Sequence, residues 1–156
     1  MKHGYRGPQR KNIRLPPEAY RSGDPFHLNI GTANRRTVFR DPRLAGMVVR
    51  RLDGQMREGG GPILAYCLMP EHLHVEILAD PDLVVWVRLF KSATAAQAAR
   101  LGLPGRLWQR GFYDRCLARG DQTLADVARY ILENPVRAGL VQRAEDWPYS
   151  HLSPLL

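Results

Sequence analysis

The sequence predicts an α+β domain of the ferredoxin-like kind, in which helices cover one face of an antiparallel sheet. Apolar residues recur with a two-residue period in some segments and with a helical period in others, and these segments follow the order βαββαβα. Only Pro70 and Glu71 separate the second predicted strand from the third, which is typical of a tight hairpin. The length of 156 residues suits one domain.

The first half of the chain predicts a strand, a helix and the hairpin. Asp41 and Pro42 form a helix start, because Asp is a preferred N-cap and Pro is favoured at the first helical position. The glycines and proline at 59–62 end that helix. The predicted elements are strand 26–32, a helix from 42 to about 58, strand 63–69 and strand 72–78.

The second half predicts two more helices and one more strand. Pro135 ends the last main helix, because a residue that precedes proline avoids the helical region. The predicted elements are a helix over about 82–101, a strand over 107–117 interrupted at Gly111, a helix that begins at 121–123, and a short turn at 135–139. We expect residues 1–25 to form a weakly ordered basic arm and residues 26–156 to form the single folded domain.

The charge balance favours a nucleic-acid partner. The chain has 23 Lys and Arg against 15 Asp and Glu, a net charge of +8 that attracts polyanions. A membrane partner is not expected, since no apolar run reaches the roughly 18–20 residues that span a bilayer and no signal-peptide pattern is present. Cys67 and Cys116 lie far apart in apolar contexts, which predicts buried free thiols in a cytoplasmic protein. Neither cysteine has metal-site spacing, so a structural zinc protein is weakly supported.

Two residue pairs could carry chemistry. His72 and His74 lie two apart on a predicted strand, so both imidazoles project from one face and could hold a metal ion together. Two histidines at this spacing also arise by chance. Tyr130 and Asn134 lie four apart on a predicted helix and share a face. They could be a packed tyrosine and a C-capping asparagine, or a nucleophilic phenol and a third metal ligand.

Four segments of the chain together point to a known family. In order along the chain they are 66–74 (YCLMPEHLH), 108–114 (WQRGFYD), 130–141 (YILENPVRAGLV) and 147–150 (WPYS). This combination resembles the REP-associated tyrosine transposases, where REP stands for a repetitive extragenic palindrome. That family is a branch of the HUH single-strand transposases, which include the IS200-like transposases. The resemblance extends from about residue 26 to the C-terminus.

The resemblance implies roles for individual residues. His72 and His74 would bind Mg²⁺ or Mn²⁺, and Tyr130 would be the nucleophile that forms a 5′-phosphotyrosine. Asn134 stands where related insertion-sequence transposases place a Gln as third metal ligand. The implied partner is single-stranded or hairpin DNA in the bacterial cytoplasm, with the protein bound at the nucleoid as a monomer or homodimer. The alternative is a non-catalytic nucleic-acid-binding module of ferredoxin-like fold.

Several other residues keep more than one interpretation. For Glu76, on the histidine side of its strand, we favour a solvated or salt-bridged carboxylate over a metal contact. Asp114 could orient a ligand or pair with a neighbouring Arg. Trp108 and Phe112 are expected to pack on the sheet rather than to stack on bases. The basic residues expected to contact DNA are Arg35, Arg36, Lys91, Arg110 and Arg137.

Overall fold

The computed structural model describes residues 14–57 and 63–156 and places five strands in one antiparallel sheet. The strands are β1 (Pro25–Gly31), β2 (Ile63–Met69), β3 (His72–Leu78), β4 (Tyr113–Cys116) and β5 (Ser150–Leu152). The helices are α1 (Pro42–Arg57), α2 (Leu83–Arg100), α3 (Leu124–Leu132) and α4 (Asn134–Arg137). The strand order is β4-β1-β3-β2-β5, and every neighbouring pair of strands is antiparallel.

The predicted α+β, ferredoxin-like class is confirmed, and one detail of its helix placement differs. Helices α1 and α2 pack on the same face of the sheet, where Val48 and Phe90 belong to one core with Val75 of β3. Helix α3 lies on the opposite face, where Val127 and Ile131 pack on side chains of β2. The expectation of one covered face was therefore wrong for α3. The reason is that all seven residues of β2 are buried, so apolar groups on both of its faces need a cover.

The helix and hairpin boundaries follow local sequence signals. Helix α1 begins at Pro42, and β2 and β3 have the predicted bounds. The Asp82 side chain accepts hydrogen bonds from the backbone amides of Val84 and Val85 in the first turn of α2. Thr123 caps α3 through a reciprocal bond with Asp126. Among the described residues, no helix combines the length and apolar character needed to cross a membrane.

Two strand predictions needed correction. The predicted strand 107–117 is a true strand only at β4, because Gly111 adopts a positive φ of 74° and turns the chain just before it. Trp108 makes a single isolated bridge to Thr32 and is buried among aromatic rings of the core. Strand β5 was not predicted. Its three residues pair with the edge of β2, with Ser150 opposite Cys67.

The segment before β1 is packed where it is described. Residues 17–21 form a 3₁₀ helix, and the Tyr20 ring is only 4% exposed. The Tyr20 hydroxyl donates to Asp114 Oδ2 at 2.8 Å, and Arg14 Nη1 donates to Asp114 Oδ1 at 3.4 Å. Asp114 therefore pairs with an arginine, one of the two alternatives. The proposed basic arm stays a prediction for residues 1–13, which lie outside the described residues.

Candidate active site

Three strand residues face α3 in a row at the centre of the sheet. Because side chains alternate along a strand, β3 turns His72, His74 and Glu76 to the face opposite α1 and α2. The register with β1 places His27 beside this row, directly opposite Glu76. We call this side of the sheet the histidine face. It is the side that α3 covers, so the last turn of α3 lies above the histidines.

The ring nitrogens of His72 and His74 converge. Their two Nε2 atoms lie 2.9 Å apart. Two ligands at right angles around an ion, with metal–nitrogen bonds of about 2.1 Å, would lie about 3 Å apart. On its other side, His72 Nδ1 lies 2.8 Å from the Glu71 carboxylate, which orients the ring. The spacing of this donor pair therefore fits a divalent cation.

Burial keeps the histidine rings in the neutral form that metal ligation requires. Desolvation lowers the pKa of His74 well below its ordinary value of 6.5, and the positive charge of Arg137 adds to that effect. Desolvation also lowers the pKa of His72, although the Glu71 carboxylate opposes the shift. Neutral imidazoles offer a lone pair without first releasing a proton.

Histidines and carboxylates alone do not complete a metal site. Within residues 14–57 and 63–156, no group of three or more His, Cys, Asp or Glu is arranged to hold a metal ion. The imidazole pair offers two nitrogen donors. The assignment of Mg²⁺ or Mn²⁺ stays a prediction.

Tyr130 lies against the histidines. It occupies the last turn of α3, and its ring centroid is 6.3 Å from that of His74 and 6.1 Å from that of His27. The Arg137 guanidinium lies over the Tyr130 ring, 4.1 Å from the centroid, and donates a hydrogen bond to the Tyr130 carbonyl. The structure thus brings together the phenol and the imidazole pair that the sequence interpretation requires. Their chemical roles stay predictions.

Asn134 acts as a helix cap in the structure. Its Nδ2 donates to the carbonyls of Tyr130 and Ile131, both at 3.2 Å. Pro135 has no N–H to offer Ile131, so the carboxamide fills part of that gap. The capping interpretation is therefore observed, whereas the role of Asn134 as third metal ligand stays a prediction.

Glu76 is neither solvated nor salt-bridged. Its side chain is 0% exposed, and neither carboxyl oxygen has a hydrogen-bond partner within the described ranges. Desolvation raises its pKa to about 8, so the group is protonated at neutral pH. The favoured sequence interpretation was wrong because β3 is the middle strand of the sheet and α3 covers its polar face.

His27 is a site residue that sequence reasoning missed. It is 0% exposed, and its Nε2 lies 3.0 Å from His74 Nδ1. Burial, the positive charge of Arg115 and the charge of His72 lower the pKa of His27 to about 3, so this ring is also neutral. A strand pattern shows that His27 shares a face with alternate residues of β1. The register that places it beside His74 is a long-range property that no local signal carries.

An arginine-rich cavity lies next to the His72 end of the sheet. It measures about 620 Å³, and its lining includes Asn34, Arg36, Arg106, Gln109 and Arg110. Gln109 also touches Gly31, the residue opposite His72, where an added Cβ would lie only 2.9 Å from the Gln109 amide nitrogen. The cavity and the histidine pair are thus adjacent.

The predicted DNA-contacting residues have different environments. Arg35 lies close enough to His72 for its charge to lower the pKa of that ring, and Arg36 donates to the carbonyls of Pro104 and Arg106. The Lys91 ammonium donates to two backbone carbonyls of the 109–111 loop. The cavity lining contains Arg110, while Arg137 covers Tyr130. Their DNA contacts stay predictions.

The residues that build this site lie within a known family pattern. The family model described as transposase IS200-like matches residues 24–134, a stretch that contains the histidine face, Tyr130 and Asn134. The chain belongs to the IS200-like transposase family. The matched stretch contains β1 to β4 and α1 to α3, whereas Arg137 and β5 lie beyond it.

This IS200-like chain is similar in sequence to one curated relative and in fold to two solved structures. A Haemophilus influenzae protein that carries the name REP-associated tyrosine transposase is 29% identical over 100 residues. That match covers 56% of this chain, and the chain spans 56% of the curated relative. The structure of a REP-associated tyrosine transposase bound to a REP hairpin superposes with a TM-score of 0.68 at 23% identity, covering 90% of this chain and 82% of the other. A transposase-like protein of Deinococcus radiodurans has a TM-score of 0.50 at 24% identity, covering 69% and 87%.

Proposed function

We propose that the chain is a metal-dependent transposase of single-stranded DNA, which cleaves and rejoins a strand through a 5′-phosphotyrosine at Tyr130. The observation that carries this proposal is the meeting of a phenol with two converging imidazoles. The Nε2 atoms of His72 and His74 lie 2.9 Å apart, and the Tyr130 ring packs against the His74 ring. The IS200-like family supports a transposase of DNA.

In the proposed reaction, one bond to phosphorus forms and one breaks. The Tyr130 phenol oxygen bonds to phosphorus as the bond from phosphorus to the 3′ oxygen breaks. The phenol proton is released, and the leaving 3′ oxygen takes up a proton to become a free 3′-OH. Attack by a 3′-OH on the phosphotyrosine reverses these changes, so the strand can be rejoined without ATP.

Each named residue has a separate task in this reaction. Bound at His72 and His74, a divalent cation would neutralise the phosphate and stabilise the leaving oxygen. Glu71 holds the His72 ring in place, and Arg137 keeps a positive charge beside the phenol ring. The caps on the carbonyls of Tyr130 and Ile131 hold the last turn of α3 over the sheet.

The substrate that we propose is a DNA hairpin of the REP kind with a single-stranded flank. A similar fold has been solved in complex with a REP hairpin. The arginine-rich cavity lies beside the His72 end of the site, where cationic side chains could hold the phosphates of the flank. An unstructured single strand of the same flanking sequence is the comparison substrate.

The direct experiment labels such a hairpin at one end and looks for a covalent adduct with Mn²⁺ or Mg²⁺. A 5′-phosphotyrosine leaves the 3′-end label on the protein and releases the 5′-end label with a free 3′-OH. Tyr130→Phe should reduce the adduct by more than about 10³-fold, since no other group replaces the nucleophile. Tyr149→Phe is the matched control, because Tyr149 packs against Trp147 outside the site.

Three outcomes would contradict the proposal. An adduct that persists in Tyr130→Phe would show that another residue is the nucleophile. An adduct that carries the 5′-end label would reverse the polarity of the link. Hairpin binding that is insensitive to chelator, with no adduct on any substrate, would favour the non-catalytic binding module.

A further inference from the structure

His27 places a ring nitrogen within hydrogen-bond distance of His74 Nδ1, the nitrogen of His74 that does not contact His72. Its Nε2 lies 3.0 Å from His74 Nδ1, on the side of the His74 ring that faces away from His72. Both rings are buried, with His27 0% and His74 4% exposed, so bulk water does not compete for this bond. His27 therefore belongs to the site, although it contacts Nδ1 of His74 and not the pair of Nε2 atoms.

The hydrogen bonds define which nitrogen of each ring carries a proton. His72 Nδ1 faces a carboxylate of Glu71, which accepts, so the proton of a neutral His72 sits on Nδ1. Its Nε2 then presents a lone pair. His74 can present a lone pair at the same position only when its own proton sits on Nδ1. That proton points at His27 Nε2, which must then act as the acceptor.

We propose that His27 is a positioning residue that fixes the tautomer and the orientation of His74 for metal binding. This inference rests on the metal role of His72 and His74 in the proposed function. In the metal-free chain, His27 Nε2–H donates to His74 Nδ1, and His74 Nε2–H donates to His72 Nε2. Metal binding reverses the bond between His27 and His74, so His27 changes from donor to acceptor. A side chain that cannot accept this proton leaves His74 in the wrong tautomer.

The test measures Mn²⁺ affinity without DNA, from the electron paramagnetic resonance signal of free Mn²⁺. His27→Phe keeps a buried aromatic ring and removes the acceptor, so its affinity should fall about 10- to 100-fold. His27→Gln supplies an amide oxygen in a similar position and should recover most of the affinity. His151→Gln, in an exposed histidine on β5, should bind Mn²⁺ as the wild type does.

Nuclear magnetic resonance of ¹⁵N-histidine in the wild-type protein gives a second readout that needs no variant. With saturating Mg²⁺, the His74 proton should sit on Nδ1. A proton on Nε2 of His74 in the loaded protein would overturn the inference. Wild-type affinity in His27→Phe would overturn it as well, and so would an equal loss in the Phe and Gln variants at matched melting temperatures.

Failure of this inference can be told apart from failure of the proposed function. If the wild type binds neither Mn²⁺ nor Mg²⁺, the metal role of His72 and His74 is wrong and the inference falls with it. If the wild type and His27→Phe bind Mn²⁺ equally while His74→Ala does not bind, the metal site stands and only the role of His27 is refuted.

Discussion

Glu76 shows how a single residue can oppose folding at the edge of a functional site. Its carboxyl group is buried on the histidine face, and within the described residues neither oxygen has a hydrogen-bond partner. Burying a polar group without a partner costs free energy of folding. Because Glu76 lies on the same face as His72 and His74, this cost falls on the part of the molecule where we propose the chemistry.

We predict that Glu76→Leu stabilises the protein at pH 8 by a few kcal/mol, on the order of 1.4 kcal/mol for each unit of pKa shift removed. The folded pKa is about 8 and the ordinary value is 4.5. Between these values the folded chain keeps a proton that the unfolded chain has lost, so wild-type stability falls as the pH rises from about 4.5 to 8. Thermal unfolding between pH 5 and pH 8 measures this difference.

The gain from Glu76→Leu should shrink toward pH 5, where both states of the wild type hold more of the proton. Glu145→Leu, in an exposed glutamate that pairs with Arg143, should not change the pH profile. A Leu variant that is less stable than the wild type at pH 8 would mean that the folded protein stabilises the carboxylate.

Short-range sequence patterns predicted which side chains share a face within one strand or one helix. The alternation of β3 was enough to place His72 and His74 on one face, and the four-residue spacing paired Tyr130 with Asn134. His27 could not be found in this way, because its contact with His74 depends on the register between β1 and β3. The burial of Glu76 depends on α3, which joins the sheet from a distant part of the chain.

At the scale of elements, the junction of α3 and α4 carries the proposed nucleophile. Pro135 interrupts the helical hydrogen bonds just after Tyr130, and the Asn134 carboxamide replaces part of them. Arg137, further along the chain in α4, returns to the Tyr130 carbonyl and ring. These contacts between α3 and α4 hold the Tyr130 side chain in its position over the sheet.

We predict that two variants of Asn134 distinguish its role as a helix cap from its proposed role as a metal ligand. Asn134→Ala removes the donor and the oxygen, and Asn134→Asp removes only the donor. Each should lower the free energy of unfolding by about 1–3 kcal/mol, because each removes both hydrogen bonds of the cap and one such bond contributes about 0.5–1.5 kcal/mol. Only the Ala variant should also lose affinity for Mn²⁺.

Chemical denaturation and Mn²⁺ titration of the two variants provide the measurements. Equal Mn²⁺ affinities in the Ala and Asp variants would exclude the Asn134 oxygen as a ligand. The start of α3 was predictable, since Thr123 and Asp126 form a capping box. Strand β5 was not predictable, because three residues are too few to show a strand period. Its formation depends on pairing with the free edge of β2.

At the scale of the whole molecule, the excess of positive charge favours a polyanionic partner. The net charge of +8 is spread along the chain, and part of it meets at the arginine-rich cavity beside His72. Other arginines pair with carboxylates, as Arg143 does with Asp146 at 2.8 Å. In the proposed function the first group would hold DNA phosphates, whereas the second group is already partly neutralised.

We predict that the affinity for a DNA hairpin falls steeply with salt concentration, and that the arginines of the cavity contribute to this salt dependence. Replacing Arg106 and Arg110 together by Ala should reduce the slope of log affinity against log salt by about 0.7 for each single-strand phosphate that the variant no longer neutralises. Arg143→Ala is the control and should leave the slope near the wild-type value. An unchanged slope in the double variant would place the DNA on another surface.

Mass spectrometry of the trapped adduct tests the central claim most directly. Wild-type protein, a hairpin with a single-stranded flank and Mn²⁺ are combined, and the denatured adduct is digested with nuclease and trypsin. Peptide 130–137 follows Arg129, ends at Arg137 and contains Tyr130 as its one tyrosine. We predict a phosphonucleotide on Tyr130 in that peptide. A nucleotide on any other residue, or no adduct on a hairpin that the protein binds and cleaves, would contradict the account.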